Sequence, residues 1–99
     1  MHVANTILGQ LGGNRFVAMT GAKDLLGDES SLQFKLPRGA KHGVNAVRVT
    51  LDPSDTYTVT FYKIGRRGLD VQVLAERTFV YAHALADVFT AETGLYTRL

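Results

Sequence analysis

The sequence predicts an α+β fold, a single two-layer domain over residues 1–99. In it an antiparallel sheet of about five strands packs against an N-terminal and a C-terminal helix. Three observations carry this reading. Three consecutive central segments alternate apolar and polar residues with period two, the mark of strands with one buried face. The two ends instead repeat apolar residues at helical spacing. Between the segments lie tight loops of glycine, proline and aspartate, which are hairpin material.

The first element is a short helix over Val3–Leu11, with Val3, Ile7, Leu8 and Leu11 on one side. Asn5 or Thr6 is placed to cap its start, and Gly12-Gly13 end it. Arg15–Thr20 reads as the first strand. Its apolar run Phe16-Val17-Ala18-Met19 implies burial on both faces. Residues 21–30 read as a loop with a helical turn at Lys23–Leu26, closed by Gly27-Asp28.

The next strands alternate cleanly. Leu32, Phe34 and Leu36 face inward while Gln33 and Lys35 face out, and Pro37 stops the strand by lacking an amide donor. Val47, Val49 and Leu51 point inward in the third strand, with Ala46, Arg48 and Thr50 outward. Asp52-Pro53-Ser54-Asp55 is a turn. The fourth strand, Thr56–Ile64, opposes Tyr57, Val59 and Phe61 to Thr58, Thr60 and Tyr62. A hairpin loop over Gly65–Gly68 leads to a fifth strand, Leu69–Glu76. There Leu69, Val71, Val73 and Ala75 are expected inward, and Asp70, Gln72 and Glu76 outward. A helix over Val80–Thr93 follows, with Tyr81, Leu85, Val88 and Phe89 in its stripe and Gly94 at its end. The order is α-β-β-β-β-β-α. Dimerisation is compatible with the narrow stability margin of so small a core.

Composition narrows the function. Apolar residues are 45% and charged residues 20%, values of a globular chain rather than a disordered one. Without cysteine there is no disulfide framework and no thiolate metal site. No apolar run is long enough to span a membrane, and the start lacks the pattern of a signal peptide, so a cytoplasmic location is expected.

Charge is more telling by position than by its net of +2. Alternate loops carry opposite sign. One class holds Arg15, then Arg38, Lys41 and His42, then Arg66 and Arg67. The other holds Asp24, Asp28 and Glu29, then Asp52 and Asp55. If strands alternate in direction, the domain has a basic end and an acidic end. Each basic loop also contains glycine, whose exposed amides form anion-binding concavities, and arginine adds bidentate phosphate contacts. Lys35, Arg48 and Tyr62 extend this surface along the outer face, with Tyr62 as a stacking platform for a base. Wet hairpin tips generate the same pattern through solubility alone.

Chemical motifs are absent. Gly21-Ala22-Lys23-Asp24 lacks the glycine before lysine and the hydroxyl after it that a phosphate-binding loop requires. Gly9-Gln10-Leu11-Gly12 has only the bare spacing of a KH loop. His83 and Asp87 are two ligands without a third. No enzyme, cofactor or metal is expected.

The stretches Gln10–Lys23 (QLGGNRFVAMTGAK), Phe34–Arg38 (FKLPR), Asp55–Val59 (DTYTV) and Gly94–Thr97 (GLYT) resemble a group of small uncharacterised proteins of bacteriophages and other mobile elements. That resemblance implies phage-type roles, either nucleic-acid handling or disabling a host factor. The leading expectation is a nucleic-acid-binding accessory protein contacting DNA or RNA through Arg15, Lys35, Arg38, Lys41, Arg48, Tyr62, Arg66 and Arg67. The alternative is a protein–protein interaction module, such as an inhibitor of a host defence or replication factor, with a structural component third.

Overall fold

A computed structural model describes residues 2–37, 40–65 and 70–97. Helices α1 (His2–Leu11) and α2 (Asn14–Thr20) precede five strands: β1 (Lys23–Gly27), β2 (Ser31–Lys35), β3 (Ala46–Leu51), β4 (Tyr57–Ile64) and β5 (Val71–Val80). Helix α3 (Leu85–Thr93) follows. The strands lie side by side in chain order, each antiparallel to its neighbours. This is the predicted two-layer α+β domain, but three elements differ from the sequence reading.

Arg15–Thr20 is helical, and the first strand lies at Lys23–Gly27, where a loop was expected. The apolar run of α2 is not buried on two faces. Phe16 and Thr20, four residues apart, are fully buried, while Ala18 is exposed. Gly13 and Gly21 bracket the helix with φ of 62° and 72°, conformations that favour glycine. The Thr20 hydroxyl donates to the Phe16 carbonyl at 2.8 Å and accepts from the Ala22 amide at 3.2 Å, which ends the helix and launches β1. Strand β1 contains an extra residue between Lys23 and Leu26, and Asp24 takes a φ of 53° there.

The second correction is in β5. Tyr62 pairs with Val73 and Phe61 with Ala75, so Leu74 is an inserted residue. A one-residue bulge changes which side the preceding residues face. Leu74 and Ala75 therefore pack on the core, and Val71 and Val73 stand on the open face, 61% and 57% exposed.

The third is the junction with α3. Strand β5 runs on to Val80 because Thr78, Phe79 and Val80 are good strand formers. A second irregularity lets two residues, Thr78 and Phe79, oppose Thr58. Phe79 adopts a φ of 54°, and its ring is 72% exposed. A 3-10 turn at Ala82–Ala84 then leads into α3, so the helix starts at Leu85 rather than Val80. Tyr81, expected in the helical stripe, is exposed and stacks on His83 with ring centroids 5.8 Å apart.

Across β2, β3 and β4 the inner face of the sheet is as predicted. Leu32, Val49 and Val59 form one row across the strands, and Phe34, Val47 and Phe61 the next. Ile7, Leu11, Phe16, Leu85 and Phe89 cover them from the helical layer. Three rings tie the layers together. Phe16 meets Phe34 edge-on at 5.2 Å and Phe89 edge-on at 5.3 Å, and Phe34 and Phe89 are 6.1 Å apart. Tyr57 passes its hydroxyl out of this core to the Gln10 side-chain oxygen at 2.6 Å. Burial pushes the Tyr57 pKa up, against a smaller opposing effect of that hydrogen bond.

Phe16→Ala is expected to cost ~3–5 kcal/mol in chemical denaturation, by lost transfer energy and a cavity among three rings. Phe79→Ala, at an exposed ring, should change stability by under about 0.5 kcal/mol. Comparable losses in the two variants would show that the three-ring cluster does not hold the layers together.

Candidate functional site

Antiparallel order fixes the two ends of the sheet. The turns at 28–30 and 52–56 share one end, carrying Asp28, Glu29, Asp52 and Asp55. The chain leaves β2 for β3, and β4 for β5, at the other. Lys23 opens β1 at that end, Lys35 closes β2, and Lys63 stands one residue before the end of β4. Lys41 and His42 belong to the connecting 3-10 turn. Arg38, Arg66 and Arg67, three of the expected phosphate contacts, lie outside the described residues.

Two residues change place. Arg15 is not in the loop before β1, which is Gly21-Ala22. It sits on α2, beside a hollow bordered by Gln10, Ala86 and Thr97. Being helical, it belongs to the opposite layer from the open face. Asp24 leaves the acidic class, because β1 carries it to the lysine end. There its carboxylate lies 3.8 Å from the Lys35 ammonium.

The remaining cations have local partners of different weight. Arg48, in mid-β3, donates to the Asp28 carboxylate at 3.3 Å and to the Gln33 side-chain oxygen at 3.5 Å. The Lys41 stem crosses Gly94, where α3 ends, so a cation lies near the negative end of that helix. The Lys63 stem lies against Gly43. Lys23 has no acidic partner within ion-pair distance among the described residues, and it sits directly opposite Lys35 across the β1–β2 ladder. Like charges so placed repel.

The open face is hollow beside these lysines. One cross-strand row reads Lys35, Ala46, Tyr62, Val73. The small Ala46 between two long neighbours leaves a concavity of about 590 Å³ lined by Leu26, Tyr62, Ile64 and Val71 among others. A second concavity of about 500 Å³, lined by Lys23, Lys35, Asn45 and Gly65 among others, shares Lys35 and Ile64 with the first. Asn45 braces their common wall. Its amide donates to the Ile64 carbonyl at 2.9 Å, and its oxygen accepts from the Ile64 N–H at 2.7 Å.

Of the expected site, Lys35, Arg48 and Tyr62 therefore share this hollow, and Lys41 lies at the same sheet end. The sequence reading missed Leu26, Ile64, Val71 and Lys23. Lys23 was hidden by reading its strand as a loop, and Val71 by the bulge at Leu74. The two glycines bracketing Asn14–Thr20 were the available signal for moving the first strand to Lys23.

Among the described residues no three histidine, aspartate or glutamate side chains gather into a metal-binding group. No described helix is long and apolar enough to cross a membrane. No family model, curated protein or solved structure matches this chain.

Asp28 anchors Arg48 and its own turn. The Ser30 amide, followed by bonding from Ser31 and a lesser pull from Arg48, holds its carboxyl below the usual carboxylate range. A lowered folded-state pKa contributes stability that is present above the unfolded value and lost as pH falls through the folded one. Acid denaturation followed from neutral pH to below about pH 4 should be shallower in Asp28→Asn than in the wild type. Superimposable curves would remove Asp28 from the groups that set acid stability.

Proposed function

We propose that this chain is a small nucleic-acid-binding accessory protein, of the phage-related kind its sequence resembles, which holds phosphates at the lysine end of the sheet. One observation carries the reading. Lys23, Lys35, Lys41 and Lys63 gather at the end of the sheet whose connecting segments also include Arg38, Arg66 and Arg67 in sequence. Asp28, Glu29, Asp52 and Asp55 stand at the far end, while Asp24 and Asp70 are at the lysine end. Such segregation orients the molecule in the field of a polyanion even when net charge is small. Lys23 facing Lys35 supports the reading further, because an anion between them relieves their repulsion. Contacts of this kind hold the backbone and carry little sequence preference.

A second reading, a protein-interaction module, is favoured by β5. Among the described residues this ten-residue strand has no strand neighbour on its far side, and it exposes Val71, Val73 and Phe79. An extended segment of a partner can add to such an edge.

Fluorescence anisotropy with labelled oligonucleotides at two salt concentrations separates the readings. With three or four phosphates contacted, affinity should fall about tenfold or more between about 50 and 200 mM salt. Lys23→Gln combined with Lys35→Gln should weaken binding and flatten that dependence, as should Arg66→Ala with Arg67→Ala. Affinity indifferent to salt, or unchanged in both double variants, would sink the phosphate reading. A partner retained after nuclease treatment would then favour the protein module.

A further inference from the structure

We infer that the hollow on the open face is a base-binding subsite, so that the preferred ligand is a single-stranded nucleic acid with one base unstacked against Tyr62. This rests on the phosphate reading above and deepens it. The two concavities differ in chemistry and meet at Lys35 and Ile64. The first has apolar walls at Leu26, Ile64 and Val71, with the half-buried Tyr62 among them. The second has Lys23 and Lys35 in its lining. Their adjacency matches the layout of a nucleotide, a flat apolar heterocycle joined through a sugar to a phosphate.

Size and polarity fit this ligand. About 590 Å³ lies within the range of small-ligand sites and accommodates one base with its sugar. Gln33, Arg48 and Asp24 border the same hollow, so donors and acceptors are at hand for the polar edge of a base. Asp24 also lies within ion-pair reach of Lys35, and that pairing is loose and exposed enough for a phosphate to compete.

The position of Tyr62 is built rather than incidental. Ala46 on one side is too small to cover the ring, and the bulge at Leu74 brings Val73 beside it on the other. Asn45 clamps Ile64 from behind with two hydrogen bonds, which keeps the wall between the concavities in place. A base inside duplex DNA is stacked and paired, and it cannot enter without being extruded. Single strands offer their π-faces freely.

The test is anisotropy at a low and a moderate salt concentration with three labelled probes, each about 12 nucleotides long. They are a single-stranded oligothymidylate, a duplex of the same length, and a single-stranded abasic deoxyribose-phosphate chain. Wild-type protein should bind the oligothymidylate at least about fivefold more tightly than either of the others, the lower end for one stacked base. Tyr62→Ala should remove that preference while leaving the abasic affinity and its salt dependence unchanged. Tyr62→Phe, which keeps the ring, should retain it. Equal binding of the oligothymidylate and the abasic chain by the wild type overturns the base subsite but leaves phosphate binding standing, and it needs no variant to fold. Salt-sensitive binding to none of the three overturns both, and the hollow then belongs to a protein partner.

Discussion

The packing of Phe16, Phe34 and Phe89 is the constraint on which the remaining structure depends. The three rings come from α2, β2 and α3, and no two of these are adjacent in the chain. Edge-to-face contacts at 5.2 and 5.3 Å specify both distance and tilt, so the helical layer can sit on the sheet in one position only. Once Phe16 is buried there, Asn14–Thr20 must be helical. A strand would present Phe16 and Val17 to opposite faces, and the helical layer covers only one.

Burying one face completely leaves the other to be shaped by irregularities. Regular pairing throughout β5 would send Val71 and Val73 into the core, where Leu74 and Ala75 now pack. The inserted Leu74 exchanges these roles. Besides Ala46 and Tyr62, which were expected there, the open side carries Ile64, Val71 and Val73. The extra residue in β1 has the parallel effect of bringing Asp24 to Lys35. Bulges concentrate where strands must re-aim side chains, and the one in β1 lines the hollow while the one in β5 turns Val71 toward it.

The charges follow from topology as much as from sequence. A meander with every neighbour antiparallel sends alternate connections to opposite ends, and the acidic turns at 28–30 and 52–56 meet at one of them. Pairing then grades these charges. Arg48 is bound by Asp28 and Gln33, and the Lys41 stem crosses Gly94 at the end of α3. Lys23 and Lys35 face each other across the β1–β2 ladder, and of the two only Lys35 has a carboxylate within ion-pair distance among the described residues, Asp24 at 3.8 Å.

By itself the sequence determined the fold class, the strands from Leu32 to Ile64 and their buried faces. Period-two alternation and turn residues are local signals, and in Leu32–Leu36, Ala46–Leu51 and Tyr57–Ile64 nothing competes with them. Tertiary structure decided the rest. Whether Phe16-Val17-Ala18-Met19 becomes strand or helix depends on what covers it, and propensity yields to a buried ring cluster. Whether Val71 faces the core depends on one inserted residue whose place is set by packing of Leu74 and Ala75, a long-range event with no local mark. The hollow beside Tyr62 depends on both, because its walls are drawn from all five strands. A site assembled across a sheet is visible only when the registers of all its strands are known.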